Sequence, residues 1–205
     1  MSDELLAIAQ ALLRQGGRRL LGIAGAPGSG KSTLAQGLRQ ALPQASAVVV
    51  PMDGFHLAQA ELERLGRADR KGAPDTFDAG GFVALLQRIR TNLQGGTVWA
   101  PAFRREIEEP VAGAIAVEPA TPLVIVEGNY LLLDEPPWDA VLPLLDACCF
   151  VDIDDALRQR RLVARHEAHG RLAEAAREWV MRSDEANARR VIASAPRASH
   201  RVKGG

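Results

Sequence analysis

Hydrophobic residues occur along the chain in two alternating patterns, short continuous runs and runs with helical spacing. Four continuous runs predict buried strands at residues 20–24, 47–50, 123–126 and 147–153, and residues 199–203 are expected to add an edge strand. Between them, apolar positions recur every three or four residues, which is typical of helices with one face against a core. Because strands and helices alternate, we predict an α/β fold in which a parallel sheet has helices on both faces.

The helical segments are predicted at residues 1–15, 31–42, 82–93, 155–168 and 172–181. Leu5, Ile8, Ala9 and Leu12 share one face of the first of them. Residues 97–117 have a different pattern, in which two β-prone pieces at 98–99 and 114–117 flank prolines and charges. We interpret this region as a small hairpin inserted into a three-layer fold.

Composition and charge restrict the classes of partner. The 205 residues, of which 47% are hydrophobic and 24% charged, are typical of one globular domain that spans residues 1–205. The formal net charge is zero, so the molecule has no global field that would attract nucleic acid or an anionic membrane. We expect neither as a partner. The sequence leaves open whether the protein is a monomer or a homodimer.

The cellular compartment is predicted from three features. Asp3 and Glu4 stand where a signal peptide would have positive charge, and no run of about 18 apolar residues occurs. Cys148 and Cys149 are adjacent within an apolar run, which favours buried free thiols over a disulfide. These features predict a cytoplasmic protein.

A glycine-rich motif follows the first predicted strand and precedes a helix. It matches G-x-x-x-x-G-K-S/T, the Walker A motif or P-loop, in full. Glycines allow successive backbone N–H groups to converge on a phosphate, and the helix N-terminus faces the same anion. We therefore predict a P-loop NTPase fold that binds ATP through Gly25, Ala26, Pro27, Gly28, Ser29, Gly30, Lys31, Ser32 and Thr33. In it, Lys31 would bridge the β- and γ-phosphates and the Ser32 hydroxyl would bind Mg²⁺.

Two acidic positions compete as the second contact of the metal. Glu127 ends a Val/Ile-rich run, where a strand would deliver its carboxylate to the edge of the sheet beside the P-loop. Asp134 and Glu135 follow three leucines and resemble the acidic strand end of transporter-type ATPases. Those ATPases also need a Leu-Ser-Gly-Gly-Gln-like signature, which is absent from this sequence. We prefer Glu127 and keep the Asp134/Glu135 pair as the alternative.

Candidate catalytic side chains follow the second and fourth predicted strands. Asp53 comes directly after the second strand, where a carboxylate can accept the proton of a bound hydroxyl or can simply cap a turn. After the fourth strand, Arg158, Arg161 and Arg165 share one helical face. Guanidinium groups suit the charge of a transferring phosphoryl group, although such clusters also occur as solvated surface. We select Arg161 and Arg165 as catalytic residues of a lid at about residues 155–170.

Together these segments resemble the P-loop kinase family of pantothenate kinase, uridine kinase and phosphoribulokinase, over nearly the whole chain. The Met-Asp-Gly-Phe-His stretch of that family stands here at residues 52–56, its Glu-Gly at residues 127–128 and its lid at residues 158–165. The resemblance implies that Asp53 is the general base. Residues 71–78 resemble the Lys-Gly-x-Pro-x-x-Tyr-Asp stretch that borders the acceptor pocket of pantothenate kinases.

Departures from the family pattern bear on the acceptor. Uridine kinases have an Asp at the place of Gly72, and their hairpin Tyr and His align with Phe103 and Glu108. A pyrimidine nucleoside would therefore leave its sugar hydroxyls without partners. Residues 100–103, 108–113 and 126–133 instead resemble the fructose transport system kinases, although Arg104 replaces their usual Asp.

We therefore predict a kinase that uses ATP and Mg²⁺ to phosphorylate a hydroxyl of a small molecule, with a sugar such as fructose favoured. The acceptor wall is expected to include Asp53, His56, Asp75, Asp78, Phe103 and Tyr130. Other acceptors, pantothenate or a nucleoside, stay open. A regulatory ATPase or GTPase without an acceptor also stays open, because Asp78-Ala79-Gly80-Gly81 matches D-x-x-G, but the guanine-reading Asn-Lys-x-Asp is absent.

Overall fold

A five-stranded parallel sheet forms the centre of the molecule. The computed structural model describes residues 3–92, 95–168 and 170–204. The order across the sheet is β2-β5-β1-β6-β7, so the strand that leads into the P-loop lies in the middle. Its strands are β1 (Arg19–Ala24), β2 (Ala47–Pro51), β5 (Leu123–Gly128), β6 (Ala147–Asp152) and β7 (His200–Lys203), and β3 (Val98–Arg104) and β4 (Glu109–Val117) form a separate antiparallel hairpin.

Helices cover both faces of the sheet, as the alternation of elements predicts. Successive residues of β1 belong to different hydrophobic clusters, Leu21 and Ile23 to one and Leu20 and Ala24 to the other, because side chains alternate across a strand. The helices are α1 (Asp3–Arg14), α2 (Lys31–Ala41), α3 (Gln59–Arg64), α4 (Ala79–Thr91), α5 (Asp155–Ala168), α6 (Ala173–Trp179) and α7 (Glu185–Ser194). The three-layer α/β prediction is confirmed.

The boundaries differ from the predictions in three places. The hairpin strands are longer than the two β-prone pieces. They contain Pro101 and Gly113, which interrupt the β-prone pattern in the sequence, and a register shift between Ala100 and Ala102 accommodates the irregularity. β5 extends through Glu127 and Gly128, both buried. The predicted helix at residues 172–181 ends in a π-helical turn, Val180–Asp184, that leads directly into α7.

Two further predictions concern single residues and membrane contact. Leu93, the predicted last residue of the fourth helix, lies outside the described residues. Among the helices that the structure describes, none combines the length and apolar character needed to cross a membrane.

Candidate functional site

The P-loop is a tight turn between the end of β1 and the start of α2. Gly28 and Gly30 have φ angles of 82° and 86°, in the left-handed region that favours glycine. A Cβ added to Gly28 would lie 2.8 Å from the carbonyl oxygen of Arg158, so α5 closes directly over the turn. The backbone from Gly25 to Lys31 thereby has the curled form that can surround a phosphate. Gly25, Ala26 and Ser29 are buried within it, and Ser32 and Thr33 are exposed at its helical end.

Ser32 and Glu127 meet at the carboxyl edge of the sheet. The Ser32 hydroxyl donates a hydrogen bond of 3.1 Å to Oε1 of Glu127, which β5 delivers beside Ile23 of β1 and Pro51 of β2. Burial raises the pKa of the Glu127 carboxyl to about 7, although the positive charge of Lys31 acts to lower it. Its second oxygen, Oε2, is buried with no hydrogen-bond partner among the described residues.

This pair could supply two ligands of a divalent cation whose remaining ligands are phosphate oxygens. A hydroxyl and an unsatisfied carboxylate oxygen are the hard oxygen ligands that Mg²⁺ prefers, and Mg²⁺ is commonly bound by one or two protein groups together with substrate phosphates. Across the described ranges, no three His, Cys, Asp or Glu side chains gather into a cage that would hold a metal by itself. The competing Glu135 forms an ion pair with Arg190 and lines neither of the cavities described below.

Asp53 lies on a 3-10 turn, Met52–Phe55, that directly follows β2. The hairpin packs closely on this turn, since a Cβ added to Gly54 would overlap the carbonyl oxygen of Pro101. The side chain of Asp53 is 28% exposed, and its Oδ2 lies 4.0 Å from Nη2 of Arg105 at the hairpin tip. Asp53 is therefore accessible to a ligand.

A cavity of about 500 Å³ opens beside Asp53, between the hairpin and the segment from α5 to α7. The ring of His56 lies against Phe77 and Phe103, with centroids 4.0 and 5.0 Å away. Burial lowers the pKa of His56 to about 4, so the imidazole is neutral near pH 7. Nδ1 of His56 and Oδ1 of Asn129 are buried there without hydrogen-bond partners among the described residues. The cavity thus combines an aromatic wall with unsatisfied polar atoms.

A second cavity of about 220 Å³ lies over the P-loop. Gly28, Gly30, Ser32 and Thr33 line it together with Arg161 and Leu162 of α5. Three cations, Lys31, Arg105 and Arg165, line both cavities, so the two cavities meet at these side chains. The P-loop, the hairpin and the lid helix each contribute one of the three.

The three arginines of the lid helix have different surroundings. Arg161 and Arg165 line the smaller cavity, and a Cβ added to Gly30 would lie 3.5 Å from Nη1 of Arg161. Arg158 is fully buried, with its Nη2 2.5 Å from Glu185 and 3.1 Å from Asp155. Helical spacing alone groups Arg158 with the other two, but the structure places it in the protein interior.

Three of the predicted acceptor residues lie outside the cavities, and the expectation for them is corrected. Asp75 is exposed, and its Oδ2 forms an ion pair of 2.9 Å with Arg70. Asp78 caps α4 by accepting a hydrogen bond of 2.8 Å from the backbone N–H of Gly81. Tyr130 is fully buried and donates a hydrogen bond to the carbonyl oxygen of Gly72. The other three, Asp53, His56 and Phe103, line the larger cavity.

Several cavity residues were missed by sequence reasoning. Asn129 follows Glu127-Gly128 at the edge of the sheet, and this position could have identified it. Arg105 lies in a charged hairpin turn, where the sequence pattern indicates only exposure. His166 and Asp184, whose Nε2 and Oδ2 atoms are 2.7 Å apart, come together from α5 and the π-helical turn. No local pattern predicts that pairing.

Comparison with known proteins identifies the family. A model of the phosphoribulokinase / uridine kinase family matches residues 20–198. The chain belongs to this family. Its members are P-loop kinases, and the chain is accordingly a small-molecule kinase whose predicted resemblance is confirmed.

Relatives in the phosphoribulokinase / uridine kinase family include proteins from fungi and bacteria. The chain is 38% identical over 190 residues to a candidate uridine kinase, C227.14, of Schizosaccharomyces pombe, and the match covers 89% of this chain and 80% of that protein. It is 36% identical over 149 residues to an ATP-dependent kinase-like protein, notR', of Aspergillus versicolor, with 69% of this chain and 87% of that protein covered. The crystal structure of a candidate fructose transport system kinase from Silicibacter sp. TM1040 is 40% identical, with a TM-score of 0.85 over 98% of this chain and 99% of that one.

Proposed function

We propose that the chain transfers the γ-phosphate of ATP to a hydroxyl of a small polyhydroxylated molecule, with a sugar such as fructose as the favoured acceptor. The observation that carries this proposal is the junction of the two cavities. The P-loop cavity has the residues that we propose bind the triphosphate, the larger cavity has a carboxylate that can serve as base, and Lys31 lines both. An enzyme that only hydrolyses nucleotide has no need of a second cavity beside its phosphate site.

The side chains at the junction can perform an in-line transfer. The acceptor hydroxyl binds beside Asp53, which takes its proton as the oxygen forms a bond to phosphorus. The bond from the γ-phosphorus to the bridging oxygen breaks, and its electron pair leaves with ADP. Lys31, Arg161 and Arg165 stabilise the charge that spreads over the phosphoryl oxygens. Positioning and electrostatics therefore account for most of the proposed catalysis.

Ser32 and Glu127 are the proposed protein contacts of Mg²⁺. When bound, the ion would neutralise phosphate charge between the β- and γ-groups. The unsatisfied Oε2 of Glu127 is the observation that supports this assignment. Burial favours the neutral carboxyl in the free protein, and a nearby cation reverses that preference because it stabilises the ionised form.

A sugar acceptor is favoured by the wall of the larger cavity. Phe103 provides apolar surface for the C–H groups of a sugar, and the unsatisfied atoms of His56 and Asn129 can pair with its hydroxyls. The similarity to the Silicibacter protein supports the same direction. A nucleoside is the second candidate, because the S. pombe relative is named as a uridine kinase. Uridine kinases have an Asp at the place of Gly72, and its absence here argues against a nucleoside.

A coupled assay of ADP release tests the proposal directly. Purified protein with ATP and Mg²⁺ is offered sugars, pantothenate and nucleosides, and the phosphorylated product is identified by mass spectrometry. We expect one acceptor class, ketose or aldose sugars, to raise ADP release above the rate with ATP alone. A protein that hydrolyses nucleotide at a rate that no acceptor changes, or that prefers GTP, would support the regulatory ATPase or GTPase instead.

Asp53→Asn provides the variant for this assay. The amide cannot accept the hydroxyl proton, so we expect transfer to fall by about a hundredfold or more while ATP affinity is retained. Asp75→Asn is the matched control, because Asp75 is ion-paired at the surface outside both cavities. Near-normal transfer by Asp53→Asn would remove Asp53 as the base.

A further inference from the structure

Arg105 occupies a place in the site that neither the motifs nor the family assignment gives it. It lies in the turn of the hairpin, between the end of β3 and the start of β4. Its side chain lines the P-loop cavity and the larger cavity, as only Lys31 and Arg165 also do among the described lining residues. The other two cations of this junction are proposed contacts of the transferring phosphoryl group.

The hairpin is tethered to the elements that surround the junction. Its first strand contacts the Asp53 turn through Pro101 and Gly54, which leave no space for a side chain at residue 54. Lys71 donates a hydrogen bond of 2.9 Å to the carbonyl oxygen of Glu108, and Oε1 of Glu109 accepts one of 3.0 Å from the backbone N–H of Gln59. These contacts fix the turn that carries Arg105 relative to the proposed base.

The charge around Arg105 is arranged to receive an anion. Burial lowers the pKa of the Arg165 guanidinium, and the positive charge of Arg105 lowers it further. Both guanidinium groups line the same two cavities and repel each other, and an anion bound between them would offset that repulsion. Nη2 of Arg105 lies 4.0 Å from Oδ2 of Asp53, and the side chain of Arg105 is 47% exposed. Its fork of N–H donors is therefore available to a ligand.

We infer that Arg105 is a further catalytic residue, which contacts the γ-phosphoryl oxygens of ATP from the hairpin while Arg161 and Arg165 contact them from the lid. This inference rests on the proposed kinase function. It places arginines from two separate elements on the same phosphoryl group. It also places Arg105 beside the proposed base, with its Nη2 4.0 Å from Oδ2 of Asp53.

The inference is tested by nucleotide binding, which requires no knowledge of the acceptor. The affinities of Arg105→Ala for the non-hydrolysable β,γ-imido analogue of ATP and for ADP, both with Mg²⁺, are measured by isothermal titration calorimetry. Loss of a charged hydrogen bond to the γ-phosphoryl group is expected to lower the affinity for the imido analogue by about tenfold or more and the affinity for ADP by less than about twofold. Arg105→Gln, which keeps most of the side-chain stem, is expected to give the same selective loss.

Arg104→Ala is the matched control, because Arg104 is the adjacent exposed arginine and lines neither cavity. It should bind both nucleotides as the unmodified protein does. If Arg105→Ala loses affinity equally for the two nucleotides, or for neither, the proposed contact of Arg105 with the γ-phosphoryl group is overturned and the kinase proposal stays intact. A failure of the unmodified protein to bind either nucleotide would instead overturn the proposed function itself.

Discussion

At the scale of single residues, the site depends on polar groups that are buried without a full set of partners. His56 is the clearest example outside the metal pair. Its ring is packed between Phe77 and Phe103, and burial lowers its pKa from an ordinary value of 6.5 to about 4. The neutral imidazole is thus a fixed part of the cavity wall. Its unsatisfied Nδ1 is available to a ligand hydroxyl.

This lowered pKa predicts a pH-dependent loss of stability. Between pH 6.5 and pH 4 the unfolded chain binds a proton at His56 and the folded protein does not, so acid favours unfolding. The stabilisation is complete above pH 6.5 and is lost as the pH falls toward 4. By pH 5 the loss is about 2 kcal/mol of the free energy of unfolding, since one pKa unit corresponds to about 1.4 kcal/mol.

Urea denaturation at pH 7 and pH 5 measures this loss. His56→Phe keeps an aromatic ring but cannot titrate, so we expect its stability to fall less over this range than that of the unmodified protein. The exposed His200 serves as control, and His200→Asn should leave the pH dependence unchanged. An identical pH dependence in the unmodified protein and in His56→Phe would mean that the imidazole titrates normally in the folded state.

At the scale of elements, α5, the proposed lid, is also a structural support of the P-loop. The helix packs against Gly28 through the Arg158 backbone and the Leu162 side chain. The buried guanidinium of Arg158 ties the same turn of α5 to Glu185 at the start of α7. The arginines that face the phosphate cavity are thereby held on a helix whose first turns are anchored in the core.

Arg158→Met is expected to destabilise the protein through this anchor. The substitution keeps the length of the stem but removes the hydrogen bond and ion pair from Arg158 to Glu185, which retains Arg189 and Gln159 as partners. Loss of a hydrogen bond to a charged group costs about 2 kcal/mol of the free energy of unfolding. Arg160→Ala changes an exposed arginine of the same helix and should alter stability by less than about 0.5 kcal/mol. Chemical denaturation of the two variants decides the matter, and equal stabilities would show that the buried pair does not anchor the lid helix.

At the scale of the whole molecule, the strands and the P-loop follow directly from local patterns in the sequence. Val/Ile-rich runs and the glycine motif can be recognised within a few consecutive residues. The parallel sheet that they predict then brings Glu127 beside Ser32 at its edge. Contacts between distant segments are not encoded in this way. The separation of Arg158 from Arg161, the ion pair of Asp75 with Arg70 and the meeting of His166 with Asp184 each depend on packing. The hairpin is under-predicted because its strands contain Pro101 and Gly113.

Nucleotide binding should stabilise the entire fold, because the P-loop joins the central strand to α2 beneath the lid. A ligand at a hundred times its Kd adds about 2.7 kcal/mol to the free energy of unfolding, which raises Tm by roughly 5–10 °C in a domain of this size. Thermal denaturation with and without ATP and Mg²⁺ should give this shift. Lys31→Met should lose most of it, whereas Lys203→Met, at an exposed position on the edge strand, should keep it. A full shift in Lys31→Met would exclude the lysine from nucleotide binding.

The central position of β1 also sets an order of events during synthesis. β1 leaves the ribosome before its two neighbours in the sheet, β5 and β6, which begin about 100 residues or more later at residues 123 and 147. A nascent chain that ends before them contains the whole glycine motif without the strands that hold its ends in place. The glycine motif is thus synthesised before β5 and β6 but takes its folded form only after they pair with β1. Pairing over such sequence separations is slow compared with local helix formation.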